Sequence, residues 1–192
     1  MQTRMELDQQ TNRSVAGAHK RLSRAERAVY DWAVVDDHQA VLEIACEQGQ
    51  LLRHLDARYQ LRACGLCFDR SHADQTREAL PEAEIMFSAG GDIPWQDASF
   101  HSVLAARGWP NHLSTADILS EIHRVLRPGG QLVMALPQHG NGVRGILGML
   151  GASAGDDQRN RLLAALETGG FEDVSYRRSR LGFVSVLAKK TA

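Results

Sequence analysis

Ala40-Val41-Leu42-Glu43-Ile44-Ala45-Cys46-Glu47-Gln48-Gly49-Gln50-Leu51-Leu52 is an apolar run carrying one acid, then a short turn, then the start of an amphipathic segment. The run from Val41 to Ala45 has no turn residue and reads as a buried strand. Leu51 to Arg58 repeats its apolar residues at helical spacing. A strand, a tight turn and a helix in this order put a backbone hairpin at the carboxyl end of the strand, where α/β sheets seat their ligands. Gly49 suits a close helix-strand contact, whereas Ala45 and Glu47 stand where such a loop usually has glycine.

Alternation continues outward from this unit. Ser23 caps a helix running to about Val35, with Ala28, Val29, Trp32 and Ala33 on one face. Leu61 to Phe68 reads as a strand, and Asp69 caps the helix Arg70 to Leu80, with Pro81 after its end. Glu84 to Ser88 and Ser102 to Arg107 are strands. Ser114 caps the helix Ala116 to Leu126, and Gln131 to Leu136 is the next strand. Asp156 or Asp157 opens a helix that reaches Glu167 and stops at Gly169-Gly170. Phe171 to Arg177 and Gly182 to Ala188 are the last strands, joined too closely for a crossover.

Strands alternating with helices predict an α/β fold: a doubly wound, mostly parallel seven-stranded sheet, Rossmann-like, with a C-terminal antiparallel hairpin. Residues 1–20 are polar and read as a flexible tail, and 21–192 as a single domain. From Gly140 to Gly155, glycines recur every third residue from Gly142 to Gly151 among Val143, Ile146, Leu147, Met149 and Leu150. That segment reads as a loose helix or an apolar flap.

The 192 residues have a net charge of −1, so no electrostatic attraction to nucleic acid or an anionic membrane is expected. The locally basic stretch Arg13 to Arg27 lacks interleaved aromatics and reads as a solvated helix face. No apolar run approaches the ~20 residues of a membrane span, and the opening residues have no secretory pattern. Three cysteines, Cys46, Cys64 and Cys67, are too few for a disulfide framework. A cytoplasmic protein with reduced thiols is the expectation.

Four passages resemble the class I S-adenosylmethionine-dependent methyltransferases, specifically the type-11 or UbiE-like group. Val41-Leu42-Glu43-Ile44-Ala45-Cys46-Glu47-Gln48-Gly49 is similar to V-L-E-I-G-C-G-x-G, and Gly65-Leu66-Cys67-Phe68-Asp69 to G-V-D-x-S. Ile93-Pro94-Trp95-Gln96-Asp97-Ala98-Ser99-Phe100-His101-Ser102-Val103 is similar to L-P-F-x-D-x-S-F-D-V-V. Glu121-Ile122-His123-Arg124-Val125-Leu126-Arg127-Pro128-Gly129-Gly130-Gln131-Leu132 is similar to E-I-x-R-V-L-K-P-G-G-x-L almost letter for letter. The last is scaffold: proline stops a helix and two glycines turn the chain into a strand.

The resemblance implies a cofactor site made of Glu43, Ala45, Cys46, Gly49, Cys67, Phe68, Asp69, Asp92, Ile93 and Arg107. It implies that Glu43 fixes the ammonium of S-adenosylmethionine and that Phe68 gives the adenine an apolar face. The loop is degenerate: Ala45 adds a methyl, and Glu47 adds a carboxylate near the cofactor's own. The ribose acid falls on Cys67 without a gap, or on Asp69 with a shift of two. The adenine acid falls on Ala89, or on Asp92 three residues nearer Pro94. A lost ribose contact costs about 1–3 kcal/mol.

Two other features bear on chemistry. Cys46 and Cys67 lie at the ends of adjacent predicted strands. Small buried hydrophobes are preferred there to a soft-metal site completed by His72 or His112, and no metal is expected. Arg107-Gly108-Trp109-Pro110-Asn111-His112 follows the fourth strand, with His112 as candidate general base and Trp109 as a wall for an acceptor.

The implied function is methyl transfer from S-adenosylmethionine to a small-molecule acceptor. The alternative is a non-catalytic methyltransferase-like module, with the cofactor bound weakly or lost, acting through a protein partner, a homodimer or another ligand.

Overall fold

The structure, a computed structural model, describes residues 21–110, 112–137, 156–178 and 183–191. The expected tail and the glycine-rich segment Gly140 to Gly155 lie outside the described residues. The elements are α1 (Arg24–Tyr30), β1 (Ala40–Ile44), α2 (Gln50–Tyr59), β2 (Arg62–Cys67), α3 (Arg70–Ala79) and β3 (Glu84–Phe87). Then come β4 (Phe100–Ala105), α4 (Thr115–Val125), β5 (Leu126–Pro137), α5 (Asp156–Thr168), β6 (Phe171–Arg178) and β7 (Phe183–Lys190).

One seven-stranded sheet runs in the order β3-β2-β1-β4-β5-β7-β6. Neighbours from β3 through to β5 are parallel, and β7 alone runs antiparallel, between β5 and β6. The expected fold is the observed one. Strand order reverses between β1 and β4, which opens a crevice at their carboxyl ends.

The central strands face two helical layers, because successive side chains point to opposite faces. Leu42, Ile44, Cys64, Leu66 and Val103 pack with Ile118, Leu119 and Ile122 of α4 and Leu162 and Leu166 of α5. Val41, Leu104, Val133 and Ala135 pack with Val29 of α1, Leu51, Leu52 and Leu55 of α2, and Ala73 of α3. Glu43 shares the parity of Val41, so the acid of the opening motif faces α1 and α2.

Two boundaries differ from expectation. Helix α1 starts on a capping box between Ser23 and Glu26, as its sequence predicts, but ends at Tyr30. Beyond it Val35 is buried and the Val34 carbonyl accepts from the Gln131 side chain of β5, so the chain is pulled off the helical path. Pairing of β5 begins earlier than expected, at Leu126 opposite Phe100. It resumes at Gln131 opposite Ser102, with a bulge holding Pro128-Gly129-Gly130 between.

Candidate functional site

The β1–α2 turn keeps the backbone shape of a glycine loop without its glycines. Ala45 has φ +57°, in the left-handed region that L-residues avoid, at a cost of about 1–2 kcal/mol. Gly49, with φ +61°, opens α2, and a Cβ there would lie 2.6 Å from Leu80 Cδ1. The turn is held from two sides: the Cys46 N–H donates to the Leu66 carbonyl at 3.2 Å, and the Thr76 hydroxyl of α3 donates to the Glu47 carbonyl at 2.7 Å.

A cavity of about 260 Å³ lies at this edge, close to the lower limit of ~300 Å³ for small-molecule sites. Ala45 and Glu47 line it from the end of β1, and Cys67, Phe68, Asp69 and His72 from the end of β2. Arg107, Gly108, Trp109 and Pro110 line it from the end of β4. Three segments far apart in sequence thus converge at the crevice where strand order reverses.

Of the residues the resemblance implies, Ala45, Cys67, Phe68, Asp69 and Arg107 meet at the cavity. Cys67 is the last residue of β2, the position of the ungapped ribose reading. Asp69 caps α3, accepting from the His72 N–H at 3.0 Å, and lines the cavity as well. That backbone N–H bond holds its carboxyl below the ordinary range. Cys46 and Gly49 sit behind the wall, Cys46 with its sulfur 2.7 Å from that of Cys67.

Asp92 and Ile93 are not among the lining residues. Asp92 is exposed, and Ile93 is buried in a scaffold clamp: its N–H donates to Glu121 and its carbonyl accepts from Arg124 at 2.8 Å. His112 is exposed and away from the lining, while His72 takes the place of cavity histidine. The spacing to Pro94 carried no sign that the Ile93 backbone is spent on α4.

The electrostatics centre on Arg107. Its guanidinium lies 3.2 Å from the Glu47 carboxylate and 3.6 Å from that of Glu26 on α1. Glu26 also completes the α1 capping box, so the N-terminal helix is tied to the cavity through one side chain. This link joins residues too distant in sequence for a motif to reveal. The Glu47–Arg107 pair is solvent-exposed, worth about 0–1 kcal/mol. It does put a carboxylate in the cavity with a cation already beside it.

Glu43 is only 2% exposed, it is not among the lining residues, and its Oε2 has no hydrogen-bond partner among the described residues. Burial, and next the Glu26 charge, push its carboxyl up to about 8, with the Leu52 N–H and Arg107 pulling the other way. Near neutral pH Glu43 is an uncharged acid. Trp109 is also buried, and its indole N–H has no partner among the described residues although the ring lines the cavity. A buried donor left open at a cavity wall is suited to a ligand acceptor atom.

Comparison with known proteins agrees with this geometry. Residues 41–130 match a family profile described as a methyltransferase domain. A demethylmenaquinone methyltransferase of Deinococcus radiodurans is 32% identical over 113 residues, covering 56% of this chain and 47% of that protein. An uncharacterized methyltransferase of Mycobacterium bovis is 31% identical over 102 residues, 53% of this chain and 41% of that protein. This chain therefore spans less than half the length of these curated relatives. Among solved structures, a TehB-like SAM-dependent methyltransferase from Corynebacterium glutamicum superposes with a TM-score of 0.64 at 19% identity, covering 97% of each chain. The fold and the crevice define a Rossmann-like α/β domain, and residues 41–130 within it are similar to the methyltransferase-domain family.

Among the described residues, no group of three or more His, Cys, Asp or Glu side chains is arranged to hold a metal, and no helix is long and apolar enough to cross a membrane.

Proposed function

We propose that this chain transfers a methyl group from S-adenosylmethionine to a small-molecule acceptor. The observation that carries the reading is the cavity at the reversal of strand order, walled by a turn that holds the left-handed backbone even with alanine at position 45. The residues fit the cofactor with one conflict. Phe68 offers an apolar face to the adenine. Asp69 has one carboxylate oxygen beyond its cap bond for the ribose hydroxyls, and Trp109 offers an open N–H. Arg107 suits a carboxylate. The conflict is Glu47, whose charge occupies Arg107 first.

When bound, the cofactor supplies an electrophilic methyl on a sulfonium. The chain's own task is to position the acceptor in line and keep water out, which needs no strong base. Accordingly, the exposure of His112 is no obstacle. The relatives' names, a demethylmenaquinone methyltransferase among them, are in keeping with a small-molecule acceptor. The net charge of −1 is in keeping with action away from nucleic acid and membranes, in the cytoplasm.

A second reading follows from Glu47 and from the small cavity. The domain keeps the scaffold but binds the cofactor weakly or not at all, and acts through a protein partner, a second copy or another ligand. Calorimetric titration with S-adenosylhomocysteine and S-adenosylmethionine separates the two. Micromolar binding supports the transferase; no heat at millimolar ligand supports the module.

A further inference from the structure

Cys46 and Cys67 are placed as no pair of inert core thiols needs to be. Cys46 lies two residues beyond the end of β1, and Cys67 ends the neighbouring parallel strand β2. Their sulfurs lie 2.7 Å apart. Gly65 of β2 makes room for this: a Cβ there would lie 2.7 Å from the Cys46 sulfur. Two zinc-bound thiolates, each ~2.3 Å from the metal, hold their sulfurs about 3.7 Å apart, so a shared metal would have to push this pair open. A disulfide needs only that the gap close to ~2.05 Å.

We propose that Cys46 and Cys67 form a peroxide-oxidisable dithiol site in the wall of the cofactor cavity, closing to an intramolecular disulfide. The site stands whether or not the cavity binds S-adenosylmethionine. The two sulfurs have different parts. Both side chains are only 1% exposed, but Cys67 is among the residues that line the cavity and Cys46 is not, so a small hydroperoxide in the cavity meets Cys67 first. The two sulfurs share a hydrogen bond in which either can be the donor. This bond holds the Cys67 thiol below its ordinary range and raises that of Cys46; burial opposes the Cys67 thiolate and the Arg77 charge favours it. Cys67 is thus the attacking sulfur and Cys46 the resolving one.

The Cys67 thiolate attacks one peroxide oxygen and the O–O bond breaks. Cys67 becomes a sulfenic acid, and the other oxygen leaves as hydroxide and takes up a proton as water. The Cys46 sulfur then attacks the sulfenic sulfur. The S–O bond breaks, the S–S bond forms, and hydroxide departs as water with the proton from Cys46. In sum, two thiols and one peroxide give one disulfide and two waters. Cys64, buried between the strands beside Glu84, is the internal control.

The test treats the full chain with hydrogen peroxide, alkylates it with N-ethylmaleimide under denaturing conditions and digests it with trypsin. The expected result is loss of two of the three alkylatable thiols and of the mass of two hydrogens. A cross-linked pair of peptides, residues 28–53 and 63–70, should appear with Cys64 alkylated, and dithiothreitol should reverse all of it. In Cys46→Ser, with its circular dichroism checked against wild type, dimedone should capture a sulfenic acid on Cys67. Three alkylated thiols after peroxide, a link through Cys64, or Cys67 oxidised to sulfinic acid beside an intact Cys46 would each overturn the proposal. The cross-link is read on the wild-type chain, so a poorly folded variant does not decide the question.

Discussion

Glu43→Gln should change how stability depends on pH far more than it changes stability at any one pH. Glu43 has an ordinary value of 4.5 in the unfolded chain and about 8 in the folded one, raised mainly by burial. Below 4.5 both states hold the proton and the carboxyl costs nothing. Between 4.5 and 8 the unfolded chain releases the proton and the folded chain keeps it, so stability falls as pH rises. Above 8 the folded protein carries a buried charge and the loss is complete. The gap of about 3.5, at about 1.4 kcal/mol each, sets a ceiling of about 5 kcal/mol. That is large against the ~5–15 kcal/mol of a typical domain.

The glutamine side chain of the variant cannot ionise, but its amide would place a donor where Oε2 has no partner among the described residues. This costs about 1–3 kcal/mol at every pH. The variant should therefore be the less stable protein near pH 5 and the more stable one near pH 8. Urea unfolding of both proteins at about pH 5, 6.5 and 8 measures the difference, in which the other titrating groups cancel. Parallel stability profiles would refute the burial argument.

Three further substitutions probe the cavity wall. Ala45→Gly relieves a φ of +57° but frees the unfolded chain, for a net gain of about 0.5 kcal/mol and a Tm rise of roughly 1–2 °C; a loss above about 1 kcal/mol would contradict the turn geometry. Gly49→Ala meets Leu80 and Thr76 in a left-handed backbone and should cost about 2–3 kcal/mol by urea unfolding. Glu47→Gly removes the carboxylate from the cavity and releases Arg107, so S-adenosylhomocysteine should bind about tenfold more tightly by calorimetry. Unchanged affinity would mean that Glu47 is not the obstacle.

The scaffold was legible because it repeats. Apolar strands, caps at Ser23, Asp69 and Ser114, and the short link between the last strands are each local signals, and together they leave one topology. The site was legible only where it is made of turns. The β1–α2 turn and the end of β2 were found by spacing, and the proximity of Cys46 to Cys67 followed from strand adjacency. What spacing missed depends on tertiary packing. The Glu26–Arg107–Glu47 chain joins α1 to the end of β4, and Ile93 gives its backbone to Glu121 and Arg124. Likewise His72, a helix residue near the Asp69 cap, reaches the cavity while His112 does not.

The protonated Glu43 also ties ligand binding to pH if it serves the ammonium that the family resemblance assigns to it. An uncharged acid is a poor counter-ion, so binding at that position would have to expel the proton first. With a carboxyl near 8, almost a full proton should leave at pH ~7. Affinity should then rise by up to about tenfold per pH unit between ~6 and ~8. Calorimetry of S-adenosylhomocysteine binding in two buffers of different ionisation enthalpy counts the protons, and Glu43→Gln should abolish the release. Release that persists in the variant would move the linkage to a group other than Glu43. Tight binding with no release would show that Glu43 keeps its proton in the complex and acts as a buried part of the scaffold, leaving the ammonium to groups that line the cavity.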